Sequence, residues 1–332
     1  MLEQKTISGL KGKKNLLAFS GGVDSSALFF LLLKDKIKFD IAIVNYGLRE
    51  QSKNEISYAK ELAQTHNLKC HIFNAPIISN NFEAKAREIR YNFFEELIKT
   101  HQYNNLITAH HLGDRFEWML MQFCKGAGCA EIAGMQKEQE RGFYTLIRPL
   151  LHLDKQELLT YLHANDKKYF QDETNLDEDI KRNSFRHNYS MPLLEKYLSG
   201  IKKSFDYLDE DKESLILETK LHVDGNFAYF KNSNSFRTNI YYIDKYLKSI
   251  GYMMSANERE ILKDEKTLVV GRKFVVNQDK RYVFITPYTQ SSTMSKEFKE
   301  QMRVLHVEPK LRPYFYENKK SLQKLKELLS SI

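Results

Sequence analysis

Several features are scarce or absent in this sequence, and each absence excludes a class of protein. Only three of the 332 residues are cysteines, which excludes a disulfide-stabilised secreted fold and predicts a reducing, cytoplasmic location. We interpret Cys124 and Cys129 as buried thiols, because no Cys-x-x-Cys or histidine spacing makes them metal ligands. No apolar run approaches the ~18 residues of a membrane span, and the amino terminus lacks a secretory pattern, so we expect no membrane association.

The charge balance is the first positive indication of a partner. Lys and Arg number 51 against 43 Asp and Glu, a formal net charge of +8. Such an excess favours a polyanionic partner such as RNA, although solvated charged faces explain it equally well. The length suggests two domains, and 42% hydrophobic residues suffice for a sizeable core.

Apolar strands and helices alternate through the first half of the chain. The predicted strands cover 15–19, 39–45, 70–75 and 105–110, and the predicted helices cover 25–35, 54–67, 82–101 and 114–124. This order predicts an α/β fold, with a parallel twisted sheet covered by helices on both faces. Ligands of such sheets bind beyond the carboxyl ends of the strands. We therefore expect a site where the first and fourth strands end.

The pattern changes towards the carboxyl end. Aromatic, alternating runs at 227–231 and 267–287 predict strands, and the second run predicts a hairpin around "NQDK". We divide the chain into a catalytic domain at 1–200 and a smaller mixed α/β region at 201–332. The Tyr, Phe and Lys content of that region suits RNA binding, and it suits a compact aromatic core equally well.

The stretch "SGGVDSS" lies between the first strand and the first helix of the alternating pattern. Backbone N–H groups at such a helix start favour an anion, and adjacent glycines allow its close approach. A carboxylate in the same loop would repel phosphate unless a cation lay between them, which predicts Mg²⁺ at Asp24. The predicted phosphate-binding residues are Ser20, Gly21, Gly22, Val23, Asp24, Ser25 and Ser26.

This loop resembles the pyrophosphate loop of the N-type ATP pyrophosphatases, also called the PP-loop superfamily. Four further stretches resemble motifs of one branch, the tRNA(Ile)-lysidine synthetases. They are "NYGLR" at 45–49, "AREIRYNFF" at 86–94, "TAHHLGDRFEWMLMQFCKGAG" at 108–128 and "DETNLDEDIKRNSFRH" at 172–187. The sequence departs from the motifs of that branch at Asn45, Tyr46, Gly113, Trp118 and Lys125.

The resemblance implies an activity and its substrates. ATP would adenylate the wobble cytidine of tRNA(Ile) with a CAU anticodon, and free L-lysine would then displace AMP, giving lysidine. Two alternatives are another PP-loop tRNA-modifying enzyme, such as a thiolase, and a nucleotide-sensing RNA-binding protein without catalysis. The oligomeric state stays open, a homodimer included.

Two carboxylates in the third motif are candidates for the amine site. Asp114 and Glu117 lie three residues apart, so a helix presents them on one face. The resemblance implies that they bind lysine, and a solvated helix face is the alternative. Either Asp24 or Asp114 would be the base that deprotonates the attacking amine. His110 would contact phosphate or form a structural hydrogen bond.

Basic residues supply the remaining candidates. Arg182 and Arg186 suit an adenylate clamp in catalysis, and ordinary surface pairing with the acidic residues at 177–179 is the alternative. The predicted contacts to phosphate or tRNA are Arg87, Arg90, Lys125 and Asn183. For Arg87 and Arg90, pairing with Glu83 is the competing interpretation.

Overall fold

The chain forms two compact units, Met1–Leu208 and Asp209–Ile332. The computed structural model describes residues 1–47, 51–171, 181–290 and 293–330. The division falls inside one long helix, Met191–Leu215, which is interrupted by non-helical backbone at Tyr197. Sequence patterning placed the boundary at residue 200, close to this interruption.

The first unit alternates strands and helices as its sequence predicts. Its strands are β1 Asn15–Ala18, β2 Asp40–Asn45, β3 Cys70–Asn74, β4 Asn105–Ile107, β5 Glu138–Arg141 and β6 Tyr144–Ile147. Its helices are α1 Gln4–Leu10, α2 Val23–Lys34, α3 Gln51–Thr65, α4 Phe82–His101, α5 Leu112–Phe123, α6 Cys129–Ile132, α7 Lys155–Ala164 and α8 Lys181–Phe185, followed by a π-helical turn, Arg186–Ser190, and by α9 Met191–Leu215.

These strands form one sheet in the order β3-β2-β1-β4-β6-β5. All neighbouring pairs are parallel except β5 with β6. The predicted α/β class with a mainly parallel sheet is thus confirmed. The β5–β6 hairpin was not predicted, because "EQER" is a polar edge strand without the apolar alternation that marks a half-buried strand.

The strand order places two chain segments at one position. The chain proceeds outward from β1 through β2 to β3, then returns to the other side of β1 with β4. Leu16 and Leu17 of β1 pair with Leu106 and Ile107 of β4. The segments that follow β1 and β4 therefore leave the same sheet edge side by side, at the reversal of strand order where open α/β sheets bind ligands.

Buried side chains cover both faces of this sheet. On one face Leu17, Ile41 and Ile107 pack with α2, α3 and α7. On the other face Leu16, Leu106 and Leu146 pack with Phe93, Phe94 and Ile98 of α4. The near-continuous apolar strands are typical of a sheet buried on both sides.

The second unit is built on an antiparallel sheet. Its strands β7 His222–Asp224, β8 Phe227–Lys231, β9 Thr267–Val270, β10 Phe274–Gln278 and β11 Tyr282–Pro287 lie in the order β7-β8-β11-β10-β9. Its helices are α10 Phe236–Ser249, α11 Ala256–Asp264, α12 Lys296–Val304, α13 Arg312–Glu317 and α14 Lys319–Ser330. The predicted hairpin around "NQDK" is confirmed by the pairing of β10 with β11.

Much of the aromatic content of the second unit lies in its core. One buried cluster contains Phe227, Phe284 and Phe315, and another contains Phe230 and Tyr246. Of the two interpretations of this composition, core packing accounts for these five rings. Within the described ranges, the helices are all too short or too polar to cross a membrane.

Phe29 of α2 provides a test of how the first core is stabilised. Its side chain is fully buried and its ring meets those of Phe19 and Phe39. We expect Phe29→Ala to lower the free energy of unfolding by about 3–5 kcal/mol, from lost transfer energy and an unfilled cavity. Chemical denaturation measures this. Phe123→Ala, at a ring that is 65% exposed, should change the free energy of unfolding by less than about 0.5 kcal/mol. Equal losses in the two variants would contradict the assignment of Phe29 to the core.

Candidate active site

The loop after β1 has the form of an anion-binding turn. Gly21 has φ +77°, a left-handed conformation that glycine adopts without strain. The Ser25 hydroxyl donates to the Gly22 carbonyl at 3.2 Å and accepts from the Ser20 backbone N–H at 3.2 Å. Ser26 is buried and donates to the Gly21 carbonyl at 3.2 Å. The loop is held by its own serines, so its backbone shape does not depend on a ligand.

Asp24 lies in the first turn of α2, and its surroundings disfavour the charged form of its carboxylate. Among the described residues, its buried Oδ1 atom has no hydrogen-bond partner. Burial raises the pKa of Asp24, His111 opposes this rise and Asp114 adds to it. A buried oxygen without a donor suits a cation ligand, and Mg²⁺ commonly binds one or two carboxylates together with substrate phosphates. The residues present thus fit the predicted magnesium position at Asp24.

The segment after β4 begins α5 with a reciprocal cap. The backbone N–H of His111 donates to Asp114 Oδ2 at 3.0 Å, and the Gly113 N–H donates to His111 Nδ1 at 3.0 Å. Because Nδ1 accepts, the hydrogen of the neutral imidazole is on Nε2. That atom lies 3.9 Å from Asp24 Oδ2 and 3.7 Å from Asp114 Oδ2. His111 therefore lies between the two carboxylates and faces both.

The packing of His111 explains why a glycine fits at position 113. A Cβ atom built at this position would lie 2.6 Å from His111 Cε1 and 3.0 Å from His111 Nδ1. Any side chain here would push the imidazole out of its capping position. The ring of His111 thus occupies the space that a side chain at position 113 would fill.

The predicted carboxylate pair is brought together with an arginine. Arg186 donates from Nε to Glu117 Oε1 at 2.6 Å and from Nη2 to Oε2 at 3.2 Å. Its Nη2 also lies 3.7 Å from Asp114 Oδ1. The side chain of Glu117 is 2% exposed, and those of Asp114 and Arg186 are 13% and 18% exposed. Two negative charges and one positive charge are therefore held in a largely dry site.

The other predicted residues have surroundings of their own in the first unit. His110 is half-buried, and its Nδ1 lies 2.9 Å from the Thr108 hydroxyl. Asn183 is buried, while Arg90 and Lys125 are exposed. The Arg87 guanidinium lies 4.9 Å from the Tyr91 ring centre. Arg182 belongs to α8, but its side chain lies outside the described part of the chain, as do residues 48–50 of "NYGLR" and the acidic residues at 177–179.

Two residues near Asp24 were not singled out by sequence reasoning. His111 was not chosen over His110, because a His-His pair gives no indication of which ring turns towards the loop. Lys155 begins α7, and its charge opposes the raised pKa of Asp24. Its only signal was "LDKQE", which reads as an ordinary helix start and contains no binding motif.

Comparison with known proteins identifies the domain family and the fold of the first unit. Residues 2–193 match the family model described as a PP-loop domain. A U34-tRNA thiolase from Methanococcus maripaludis with a [4Fe-4S] cluster superposes with a TM-score of 0.53, at 18% identity over 68% of this chain and 76% of the thiolase. At that identity, the likeness shows the fold alone.

The sequence relatives are much closer. A tRNA(Ile)-lysidine synthase of Helicobacter pylori strain 26695 is 44% identical over 311 residues, covering 92% of this chain and 90% of that protein. A tRNA(Ile)-lysidine synthase of Campylobacter jejuni strain RM1221 is 40% identical, covering 98% of this chain and 99% of that protein.

The fold and the loop define a PP-loop enzyme of the ATP pyrophosphatase type. Within that class, the chain belongs to the tRNA(Ile)-lysidine synthases, as its identity to full-length relatives shows. The family indicated by the four motifs is thereby confirmed, and neither the thiolase nor the non-catalytic alternative is favoured.

Steric exclusion at Gly113 leads to a double-mutant test. We expect Gly113→Ala to lower the free energy of unfolding by about 1–3 kcal/mol, because the new methyl group displaces His111. In a His111→Ala background, the same change should cost much less. Chemical denaturation of the four proteins measures the coupling.

Gly200→Ala is the matched control, because a Cβ there meets open space in a helix. It should leave stability unchanged or raise it, since alanine is the better helix former. An equal cost of Gly113→Ala in both backgrounds would show that His111 is not the obstacle.

Proposed function

We propose that this chain catalyses ATP-dependent formation of lysidine at the wobble cytidine of tRNA(Ile) with a CAU anticodon. Its membership of the tRNA(Ile)-lysidine synthases supports the reaction. The observation that carries the assignment of residues is the meeting of Asp24, His111, Asp114 and Arg186 at the strand-order reversal. ATP is a substrate, and the PP-loop domain is the part of the chain that uses it.

In the first step, the cytidine C2 carbonyl oxygen attacks the α-phosphorus of ATP. An oxygen–phosphorus bond forms to the base, and the bond to pyrophosphate breaks. Backbone N–H groups in the first turn of α2, with the dipole of that helix, would stabilise the departing pyrophosphate. Mg²⁺, held through Asp24, would neutralise charge on the phosphates. The loop serines keep those N–H groups oriented before ATP arrives.

In the second step, the ε-amine of lysine attacks C2, a carbon–nitrogen bond forms and AMP departs. The group of Asp114, Glu117 and Arg186 offers both charges that the α-ammonium and α-carboxylate of free lysine require. Because Glu117 is bound in bidentate fashion by Arg186, we assign the direct ammonium contact to Asp114. Glu117 would hold Arg186 in place for the carboxylate, and Arg182 would assist at the adenylate.

The attacking amine must lose a proton, and Asp24 and Asp114 are both candidates for the base. Burial raises the pKa of Asp24, which brings that carboxylate closer to the range in which a general base works near neutral pH. His111 Nε2 faces both carboxylates, so it would orient whichever of them accepts the proton. The second unit would bind the tRNA, and the exposed Arg90 and Lys125 of the first unit are further candidate contacts to it.

The direct test is an assay of both half-reactions with a CAU-anticodon tRNA(Ile) transcript. We expect pyrophosphate release and lysine-dependent incorporation of lysine into the RNA. Asp24→Asn should lower both by about 100-fold or more, and Asp114→Asn should raise the KM for lysine more than that for ATP. Asp206→Asn, at an exposed carboxylate of α9, is the control. Pyrophosphate release without lysine incorporation would indicate that another nucleophile attacks the adenylated base. No pyrophosphate release with any tRNA would overturn the proposal.

The half-buried carboxylate of Asp24 also predicts that activity and stability respond in opposite directions to its substitution. Since the folded-state pKa of Asp24 lies above the ordinary 3.8, the ionised form costs folding free energy at neutral pH. Asp24→Asn should therefore be more stable than the parent protein at pH 7. The difference should shrink as the pH falls through the raised pKa towards 3.8, where the parent is itself protonated. Denaturation midpoints between pH 4 and 7 measure this, and Asp206→Asn should show no such trend.

A further inference from the structure

A cluster of arginines lies beside the active site and takes no part in the steps above. Arg148 follows β6 directly and is only 6% exposed. It donates from Nη1 to the Gln136 carbonyl at 2.9 Å and from Nη2 to Gln139 Oε1 at 3.2 Å. Both acceptors are neutral, so these bonds leave its charge uncompensated.

Two more guanidinium groups, those of Arg87 and Arg141, lie close to the ring of Tyr91. The ring centre of Tyr91, on α4, lies 4.9 Å from Arg87 Cζ and 5.6 Å from Arg141 Cζ. Arg87 is exposed and Arg141 is half-buried, so both are open to a ligand from outside. Burial, with Arg141 and Arg87 nearby, lowers the pKa of Arg148 to about 10. At that value Arg148 stays cationic at neutral pH.

The three arginines of this cluster have few hydrogen-bond acceptors among the described residues. Among the described residues, no carboxylate forms an ion pair with Arg87, Arg141 or Arg148. The nearby Glu95 instead accepts a hydrogen bond from the Tyr144 hydroxyl at 3.1 Å. The buried donor atoms without a partner in the described structure include Arg141 Nε, Arg148 Nε and Gln136 Nε2. Uncompensated buried cations are costly unless an anion offsets them.

The position of the cluster suits a substrate contact. Leu150, two residues beyond Arg148, pairs with His111 at the start of α5. Only β4 separates β6 from β1, whose loop is assigned to the phosphates of ATP. Two strand spacings amount to about 10 Å, so the backbone of Arg148 leaves the same sheet edge as that loop, two strands away. Arg141 pairs with Tyr144 at the other end of β6, and its guanidinium extends to Tyr91 of α4.

We propose that Arg87 and Arg141 bind a phosphate group beside Tyr91, with the buried charge of Arg148 behind them, and that the phosphate belongs to the tRNA backbone next to the reacting cytidine. Arginine forks match phosphate oxygens and contact them in bidentate fashion. The assignment of the phosphate to tRNA rests on the proposed function. The alternative source is ATP itself, which has the same chemistry.

The test measures RNA binding in the absence of ATP and lysine. The probe is a fluorescent anticodon stem-loop of tRNA(Ile) with the CAU sequence, titrated at several KCl concentrations. We expect Arg87→Gln and Arg141→Gln each to weaken binding about tenfold at low salt. Each should also reduce the slope of log affinity against log salt by about 1. Lys85→Gln removes an exposed cation from the same helix outside the cluster and should leave the slope unchanged.

Arg148→Gln tests the buried charge, and Arg148→Lys restores a cation without the planar fork. If Arg148→Gln does not fold, as judged by circular dichroism, the two more accessible variants still decide the question. A raised KM for ATP with an unchanged RNA salt slope would overturn the tRNA assignment and place ATP phosphate at the site. Parent-like values in both measurements would overturn the site itself.

These outcomes are distinct from a failure of the proposed function. A parent protein that prefers this RNA over a scrambled stem-loop, yet forms no lysidine, would leave the phosphate site supported. Lysidine formation by the parent protein, with salt slopes equal in all variants, would support the proposed function and overturn the phosphate site.

Discussion

Parallel pairing of β1 with β4 is the constraint on which the rest of the first unit depends. Backbone hydrogen bonds between the two strands fix the register of Leu16 with Leu106. That register delivers the SGGVDSS loop and the start of α5 to one sheet edge. A shift of one residue would turn every side chain of the strand to the opposite face. The apolar residues on both faces oppose such a shift, so core packing and site geometry are set by the same contacts.

Charge in the first unit is arranged in two neighbouring groups of opposite character. At the start of α2 and α5, the carboxylates of Asp24, Asp114 and Glu117 lie with His111 and Arg186, and we propose that this group binds a cationic amine and a magnesium ion. Beside α4, Arg87, Arg141 and Arg148 meet without a paired carboxylate among the described residues. A reaction that joins a basic amino acid to a polyanionic RNA requires both kinds of surface close together. In the proposed reaction, the separation would keep the tRNA phosphate away from the carboxylates assigned to lysine.

His111 and Gly113 show how a departure from a family motif can be structurally coherent. The glycine removes a side chain from α5, and the imidazole occupies the space. In that position the ring caps the helix through Nδ1 and faces two carboxylates through Nε2. The cap and the electrostatic contact share one ring, so helix stability and site geometry are coupled at this point.

The sequence by itself determined the alternation of strands and helices, the loop at 20–26 and the family, because periodicity and contiguous motifs are local properties. It also gave the bounds of α4, where an amphipathic pattern runs without interruption from Phe82 to His101. Only the tertiary structure decided that Glu117 pairs with Arg186, that His111 faces Asp24 and that Arg148 is buried with no carboxylate partner in the described part of the chain. These pairings join residues from different elements, and Glu117 and Arg186 stand 69 positions apart. The order of strands in the sheet sets such distances, and no local pattern in the sequence encodes that order.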